Sequence, residues 1–108
     1  MNSPPRGEVW LVDLGLAAKV RPCLVVSAPI RDSERSLVSL VPHTTSVRGG
    51  RFEVRIQVKF LKPGAFDAQG VVTVPLVRLI RRLGALTPEQ LSNAEEALLA
   101  WLGMRGDV

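Results

Sequence analysis

The sequence is poor in the residues that build metal centres and disulfides. Its 108 residues include one cysteine, Cys23, and one histidine, His43. A single thiol cannot form an internal disulfide, and this pair provides no ligand cluster with the spacing of a zinc site. We therefore predict no metal and no cofactor. Cys23 lies in the apolar run CLVVS, so we expect it to pack as a small core side chain in a reducing cytoplasm.

Long apolar runs are also missing. None approaches the ~20 residues that a membrane span needs, and the opening MNSPPRGEVW has no apolar signal region. We expect neither membrane insertion nor export. No glycine-rich run precedes a lysine and a helix, so a phosphate loop is not predicted. With 46% hydrophobic residues, the chain is expected to form a single domain over residues 1–108 with one modest core.

Acidic residues are scarce in the middle of the chain. The formal net charge is +4, and between Arg48 and Arg82 eight basic residues face only Glu53 and Asp67. A basic segment of this kind suggests a polyanionic partner, which is a nucleic acid or an acidic protein segment. The alternative is a solvated basic surface that has no partner.

The hydrophobic pattern predicts short strands followed by one helix. Strands are predicted at residues 8–14, 23–27, 37–42, 52–59 and 71–74. The segment 52–59 alternates most clearly between apolar and polar residues, which indicates one buried and one solvated face. Residues 62–70 are predicted to form a loop. Residues 76–84 remain ambiguous, because their start alternates like a strand and their end could form a helical turn.

The C-terminal helix is the plainest prediction. Thr87 is expected to be the N-cap, with Pro88 at the first helical position and Gln90 completing a capping box. Gly103 is expected to end the helix. An apolar stripe at helical spacing is predicted to pack on the core: Leu91, Ala94, Leu98, Trp101 and Leu102. Strands followed by one packing helix predict a small antiparallel barrel or a strongly curled sheet.

Two polar residues stand at the ends of neighbouring predicted strands. Arg21 precedes the strand PCLVVS, and Thr44 follows the strand LVSLVP. If these strands lie side by side, the two side chains converge at one rim, where a guanidinium and a hydroxyl can hold the same phosphate. The alternative is a structural salt bridge from Arg21 to Asp13 or Glu53, because a charge at a buried rim costs solvation unless it is paired.

Five blocks of the sequence resemble, in order and spacing, the MazF/PemK family of toxin endoribonucleases. They are RGEVWLVDL, KVRPCLVVS, LVPHTTS, FEVRI and LTPEQLSNAEEALLAWLG, and together they run from about Arg6 to Gly103. The resemblance implies the SH3-like barrel or curled sheet that the family shares with the CcdB gyrase poisons, and a homodimer. It also implies metal-independent cleavage of single-stranded RNA, in which the 2′-hydroxyl attacks the adjacent phosphate to leave a 2′,3′-cyclic phosphate and a 5′-hydroxyl. An acidic antitoxin is the implied partner.

The resemblance also assigns roles to residues. By motif match, Arg21 and Thr44 fall on the catalytic arginine and threonine of the family, and Thr45 falls on a following phosphate contact. The remaining RNA-binding or phosphate-binding candidates are Ser46, Arg48, Arg51 and Arg78. A side chain with a pKa above ~12 is a poor general acid, so we assign Arg21 to stabilise transition-state charge. His43 should face away from the Thr44 side, and we interpret it as packing.

Two departures from the family pattern leave other functions open. The first connecting loop is cut to GLAAKV and lacks the carboxylate that often lies near the catalytic arginine. An Asp-Gln-x-Arg block is replaced by VPLVRLI, in which only Arg78 matches. One alternative is a non-catalytic barrel toxin or relic that binds gyrase or only its antitoxin. Another is a housekeeping SH3-like adaptor, which would bind RNA and DNA alike.

Overall fold

Seven antiparallel strands and one C-terminal helix make up the part of the chain that the structure, a computed structural model, describes: residues 2–15, 17 and 19–105. The strands are β1 (Glu8–Asp13), β2 (Val20–Val25), β3 (Leu37–Thr44), β4 (Glu53–Val54), β5 (Ala65–Asp67), β6 (Val72–Pro75) and β7 (Leu79–Ala85), and the helix is α1 (Pro88–Trp101). Short 3₁₀ turns at Ala68–Gly70 and Leu76–Arg78 follow β5 and β6. The helix is too short to cross a bilayer, and the described residues hold no other helix long and apolar enough to do so.

The sheet is built around β3. Its strand order is β4-β5-β3-β2-β1-β7, and β6 also pairs with β3. The first half of β3 pairs with β6, while its last residues, His43 and Thr44, pair with β5. Among the described residues no pairing joins β4 to β7, so the curled sheet stays open. The expected mainly-β fold, a curled antiparallel sheet with a C-terminal helix, is confirmed.

The buried side chains divide into two clusters on opposite faces of the central strands. Leu24 packs with Val41, Phe66 and the helix on one face, whereas its neighbour Cys23 packs on the other. Strand β2 is therefore buried on both faces from Cys23 onward, as its continuous apolar run predicted. Burial raises the pKa of the Cys23 thiol to about 12, and the positive charge of Arg21 opposes this only in part. Cys23 is a core residue.

The helix begins as its sequence predicted. The Thr87 hydroxyl oxygen accepts a hydrogen bond from the Gln90 backbone N–H at 3.2 Å, and the Gln90 side-chain oxygen accepts one from the Thr87 N–H at 2.9 Å. At the other end the predicted apolar stripe is wrong for two residues. Trp101 and Leu102 are 41% and 51% exposed, because the helix extends beyond the buried cluster. The Trp101 ring keeps an edge contact with Phe52, with ring centroids 5.4 Å apart.

The strand predicted at residues 52–59 is wrong in extent. Only Glu53–Val54 is paired, because β4 is the last strand in the sheet and its neighbour β5 is three residues long. The alternation in side-chain burial persists without the pairing, with Phe52 and Ile56 buried and Arg55 exposed. The alternation of apolar and polar residues therefore indicates which face of the segment packs on the core. It does not indicate which backbone groups form hydrogen bonds with a neighbouring strand.

The loop predicted at residues 62–70 contains β5, so that prediction is also wrong. A three-residue strand between Gly64 and Gly70 leaves too short an apolar run to recognise. In the ambiguous segment 76–84, the turn and the strand occur in the reverse of the expected order. A 3₁₀ turn at Leu76–Arg78 comes first and β7 follows, because the buried Leu76 side chain fixes the start of the segment in the core.

Residues before β1 connect the sheet to the helix. The Gly7 N–H donates to the Val25 carbonyl oxygen at 2.9 Å, and the Gly7 carbonyl accepts from the Leu86 N–H at 2.9 Å. The Arg6 guanidinium donates to the Val26 carbonyl and forms an ion pair with Glu95 on the helix. Gly7 has a φ of +94°, which a residue with a side chain rarely adopts.

Candidate active site

Arg21 and Thr44 lie on the same groove. The registered pairs of β2 and β3 include Cys23 with Pro42, and continuing that register two residues further sets Arg21 opposite Thr44. Directly opposed residues of an antiparallel pair project from the same face about 5 Å apart. Both residues line one groove of about 830 Å³, which we call the first groove. It is lined by Leu14, Arg21, Pro42, His43, Thr44, Ser46, Arg48, Gly50, Glu53, Asp67, Gln69, Gly70 and Val72.

Thr44 is held in place at the end of β3. Its side-chain oxygen accepts a hydrogen bond from the Ser46 backbone N–H at 3.0 Å, and its backbone pairs with Ala65 of β5. The hydroxyl can still donate its own hydrogen, because that bond uses only a lone pair. Ser46 lines the first groove, whereas Thr45 lines a second groove that Arg21 also borders. The two adjacent threonines, at the end of β3 and just beyond it, therefore lie on different grooves.

The turn after β3 is organised by Glu53. One of its carboxylate oxygens accepts hydrogen bonds from the backbone N–H groups of Arg48 at 3.0 Å, Gly49 at 2.6 Å and Gly50 at 3.3 Å. Three successive N–H groups that point at one anion form a backbone nest. This contact fixes the turn that carries Ser46 and Arg48 along one wall of the groove. Sequence reasoning considered Glu53 only as a partner for Arg21 and missed this role.

Asp67 and Gln69 also line the first groove, and Asp67 pairs in register with Glu53 of β4. The Asp67 side chain accepts a hydrogen bond from the Gln69 backbone N–H at 3.1 Å and so caps the 3₁₀ turn at Ala68–Gly70. Sequence reasoning searched for an Asp-Gln pair at Pro75 and Leu76 and found none. The structure instead places the Asp67 carboxylate and the Gln69 amide on the groove, from a segment that precedes Pro75 in the sequence. The available signal was the sequence DAQG, which begins at the last residue of the unrecognised β5.

This fold and these residues match one family throughout. The model of the PemK-like, MazF-like toxin of type II toxin-antitoxin systems matches residues 5–102. The chain belongs to this family. The endoribonuclease MazF4 of Mycobacterium tuberculosis and the endoribonuclease MazF1 of Mycobacterium bovis are each 33% identical to it over 104 residues, with 96% of this chain and 97% of the relative covered.

Solved structures of MazF proteins have the same fold. An endoribonuclease from a mycobacterial species, in complex with its cognate antitoxin, superposes with a TM-score of 0.81 at 29% identity and covers 95% of this chain and 98% of its own. MazF from Deinococcus radiodurans superposes with a TM-score of 0.78 at 23% identity, covering 96% of this chain and 99% of its own, and supports the fold alone.

Two of the predicted phosphate contacts of this MazF-family chain lie outside the first groove. The Arg51 guanidinium sits over the Phe52 ring, 4.4 Å from its centroid, in a cation–π contact. Arg78 lies with a guanidinium nitrogen 3.6 Å from a carboxylate oxygen of Asp13. The other Asp13 oxygen accepts from the Gly15 N–H at 2.9 Å. Neither arginine is among the residues that line the first groove.

His43 is buried, and it lines both the first groove and the second groove. It is 4% exposed, and its ring meets the Phe66 ring edge-on with centroids 5.1 Å apart. Its Nε2 has no hydrogen-bond partner among the described residues. Burial lowers the pKa of His43 below its usual 6.5, which favours the neutral form at physiological pH. The burial agrees with the packing interpretation, although His43 lines the first groove together with Thr44.

The described residues include no cluster of three or more His, Cys, Asp or Glu side chains that could hold a metal ion. Alongside the carboxylates of Glu53 and Asp67, the donors that line the first groove are the guanidiniums of Arg21 and Arg48 and the hydroxyls of Thr44 and Ser46. Such donors bind phosphate oxygens, and they stabilise negative charge where it develops.

Proposed function

We propose that this chain is the toxin endoribonuclease of a type II toxin–antitoxin system and that it cleaves single-stranded RNA in the first groove. The observation that carries the proposal is that Arg21 and Thr44, at the ends of the paired strands β2 and β3, line one groove. Membership of the toxin family and the endoribonuclease relatives support it. The cytoplasm is then its site of action, because messenger RNA is translated there.

In the proposed reaction the substrate supplies its own nucleophile. The ribose 2′-hydroxyl attacks the adjacent phosphorus, the bond to the 5′-oxygen breaks, and the products carry a 2′,3′-cyclic phosphate and a 5′-hydroxyl. The proton of the attacking hydroxyl passes to water, and the leaving 5′-oxygen takes one from water. This chemistry requires stabilisation of charge on the phosphorane rather than a metal-bound nucleophile.

Arg21 and Thr44 supply that stabilisation. The Arg21 guanidinium can bind two non-bridging oxygens at once. The Thr44 hydroxyl can donate to the same phosphate, since its oxygen is already oriented by the Ser46 N–H. Both donors are in place before the reaction, so little reorganisation is needed as charge builds up. The role of Arg48 on the groove wall is to hold a flanking phosphate.

We propose two protein partners. The first is an antitoxin with an acidic segment that covers the first groove, in line with the cognate complex formed by the mycobacterial structural relative. The second is another copy of this chain. Val77 and Ile80, on the turn before β7 and in β7 itself, are 75% and 51% exposed, and a homodimer would bury such apolar side chains.

The test is a cleavage assay on a long single-stranded RNA in EDTA, with the ends of the fragments mapped. We expect site-specific cuts with cyclic phosphate ends. The Arg21→Ala and Thr44→Ala variants should each lose ~10²–10³ in rate, as is typical when one transition-state donor is removed. Arg55→Ala is the matched control, because Arg55 is exposed and does not line the groove.

The outcomes separate the competing functions. The nuclease should cut RNA and leave single-stranded DNA intact, because deoxyribose lacks the attacking group. A folded protein that leaves RNA intact would move the assignment to a non-catalytic toxin or relic. Equal binding of RNA and DNA without cutting would support the adaptor. Full activity in a folded Arg21→Ala variant would overturn the assigned site.

A further inference from the structure

A second groove lies on the other side of Arg21. Its volume is about 420 Å³, and we call it the basic groove. It is lined by Leu11, Lys19, Val20, Arg21, Pro22, His43, Thr45, Phe60, Leu61, Lys62, Arg81 and Leu83. Four of these residues are cationic and none is a carboxylate, whereas the first groove includes Glu53 and Asp67.

Three of the four cations that line the basic groove have no acidic partner among the described residues. Lys19, Lys62 and Arg81 form no ion pair with any residue in the described ranges 2–15, 17 and 19–105. Like charges grouped around one concave surface repel each other and focus a positive potential into it. A polyanion placed there would relieve that repulsion, so the surface is suited to a chain of phosphates.

Three separate parts of the fold bring these cations together. Arg81 lies on β7 and pairs in register with Leu11 of β1. Lys62 follows β4 in the segment that leads to β5. Lys19 sits in the turn between β1 and β2 with a φ of +57°, and both its N–H and its carbonyl are hydrogen-bonded within that turn, to Gly15 and Leu14 at 2.9 and 2.8 Å. The backbone of this lysine is therefore fixed in a conformation that non-glycine residues seldom adopt.

The other lining residues favour RNA over an acidic peptide. The exposed Thr45 hydroxyl can donate to a phosphate oxygen, and the half-buried Phe60 ring offers an apolar surface for a base. Arg21 lines both grooves, so a strand bound at the proposed cleavage site can pass over this residue into the basic groove. A carboxylate chain would use the cations and leave the aromatic ring without a matching partner.

We propose that the basic groove is a second RNA-binding subsite, which holds the nucleotides on one side of the scissile phosphate through Lys19, Lys62 and Arg81. This inference rests on the proposed function of the first groove. It assigns a role to Thr45 as well, as a phosphate contact in the basic groove rather than at the cleavage site.

The test compares two double variants with the same change in net charge. Lys62→Gln/Arg81→Gln alters the basic groove, and Lys59→Gln/Arg55→Gln alters exposed cations that line neither groove. The probe is a single-stranded RNA of the mapped cleavage sequence with a 2′-deoxy substitution at the attacking ribose. Its binding is measured across a range of salt concentrations.

We expect the salt dependence to separate the variants. Each phosphate contact to a single strand contributes about 0.7 to the slope of log K against log salt. The basic-groove variant should therefore bind with a slope shallower by about 1.4, while the control keeps the wild-type slope. In cleavage assays the basic-groove variant should show a raised KM with kcat unchanged, which is the signature of lost uniform binding.

Substrate length provides a second readout. Removing nucleotides from one end of the RNA should abolish the difference between wild type and the basic-groove variant, and removing them from the other end should preserve it. A difference that survives truncation from both ends would contradict a subsite on one side of the cleaved bond.

The remaining outcomes distinguish this inference from the proposed function. If the wild type cuts RNA and the basic-groove variant keeps the wild-type slope, the inference is wrong and the nuclease assignment stands. If the wild type cuts nothing, the nuclease assignment fails, and the slope measured with the intact long RNA still decides whether the basic groove binds RNA. If RNA binding is unchanged while affinity for poly-glutamate is lost, the groove accepts an acidic protein segment and the RNA assignment is overturned.

Discussion

Removal of the Glu53 carboxylate provides a sharp test of how the first groove is held. A single oxygen of Glu53 accepts three backbone N–H groups, at 2.6 to 3.3 Å, from the turn at residues 48–50. Each such bond stabilises a protein by a net ~1 kcal/mol, and bonds to a charged group by more. Because the turn is exposed, water replaces part of the lost bonding in Glu53→Ala. We expect the free energy of unfolding to fall by about 1–2 kcal/mol.

The effect of this substitution on RNA binding distinguishes two roles for Glu53: holding the turn in place, or contributing only a negative charge to the groove. Glu53 is a carboxylate in a groove assigned to a polyanion, so by charge alone its removal should tighten RNA binding. If its main role is to hold the turn, Glu53→Ala should instead weaken binding, because the Arg48 wall is released. Glu53→Gln provides the matched control, since it keeps an acceptor oxygen and loses the charge. We expect Glu53→Gln to bind RNA at least as tightly as wild type, and Glu53→Ala to bind more weakly.

Two measurements check this expectation. Urea unfolding gives the change in stability, and amide hydrogen exchange at residues 48–50 reports directly on the turn. Faster exchange confined to the turn, together with weaker RNA binding, would support the anchor. Unchanged exchange and tighter binding in Glu53→Ala would refute the reasoning and leave Glu53 as a repulsive charge.

Three further predictions follow from buried groups. The Cys23 thiol, with its pKa raised to about 12, should resist alkylation in the native protein and react only after unfolding. Burial lowers the pKa of His43 in the folded state, so the unfolded chain takes up a proton first as the pH falls. The free energy of unfolding should therefore decrease as the pH drops below ~6.5. His43→Leu should remove that part of the pH dependence of urea unfolding. Gly64→Ala places a Cβ 2.7 Å from the His43 ring and against the Thr44 carbonyl. The substitution should therefore destabilise the fold by about 1–3 kcal/mol and reduce cleavage. A fully stable and fully active variant would contradict this packing.

The parts of the molecule that sequence analysis predicted well are encoded locally. The capping box at Thr87 depends on side chains three residues apart, and the structure contains both of its hydrogen bonds. The continuous apolar run after Arg21 predicted a strand buried on both faces, and β2 has that burial from Cys23 onward. The meeting of Arg21 and Thr44 was expected only if their strands were neighbours, and the register supplies that condition.

The parts that were missed depend on distant partners. Strand β5 has three residues, and its pairing depends on the neighbouring strands β3 and β4 rather than on its own sequence. Asp67 is the last residue of β5 and Gln69 follows shortly after it, so their place on the groove was missed for the same reason. The basic groove draws Lys62 and Arg81 from segments that sequence order keeps apart, and no local pattern brings them together.

The connections of Arg6 and Gly7 have a consequence for the synthesis of the protein. Gly7 bonds to Leu86 and Arg6 pairs with Glu95, both far along the chain, and β1 pairs with β7 along its length. Contacts of such sequence separation cannot form while the C-terminal part of the chain is still inside the ribosome. A nascent chain that lacks β7 and the helix therefore has no complete sheet. The sheet of this toxin is therefore complete only after β7 has left the ribosome, and a message truncated before β7 yields a product without Arg81, one of the cations of the basic groove.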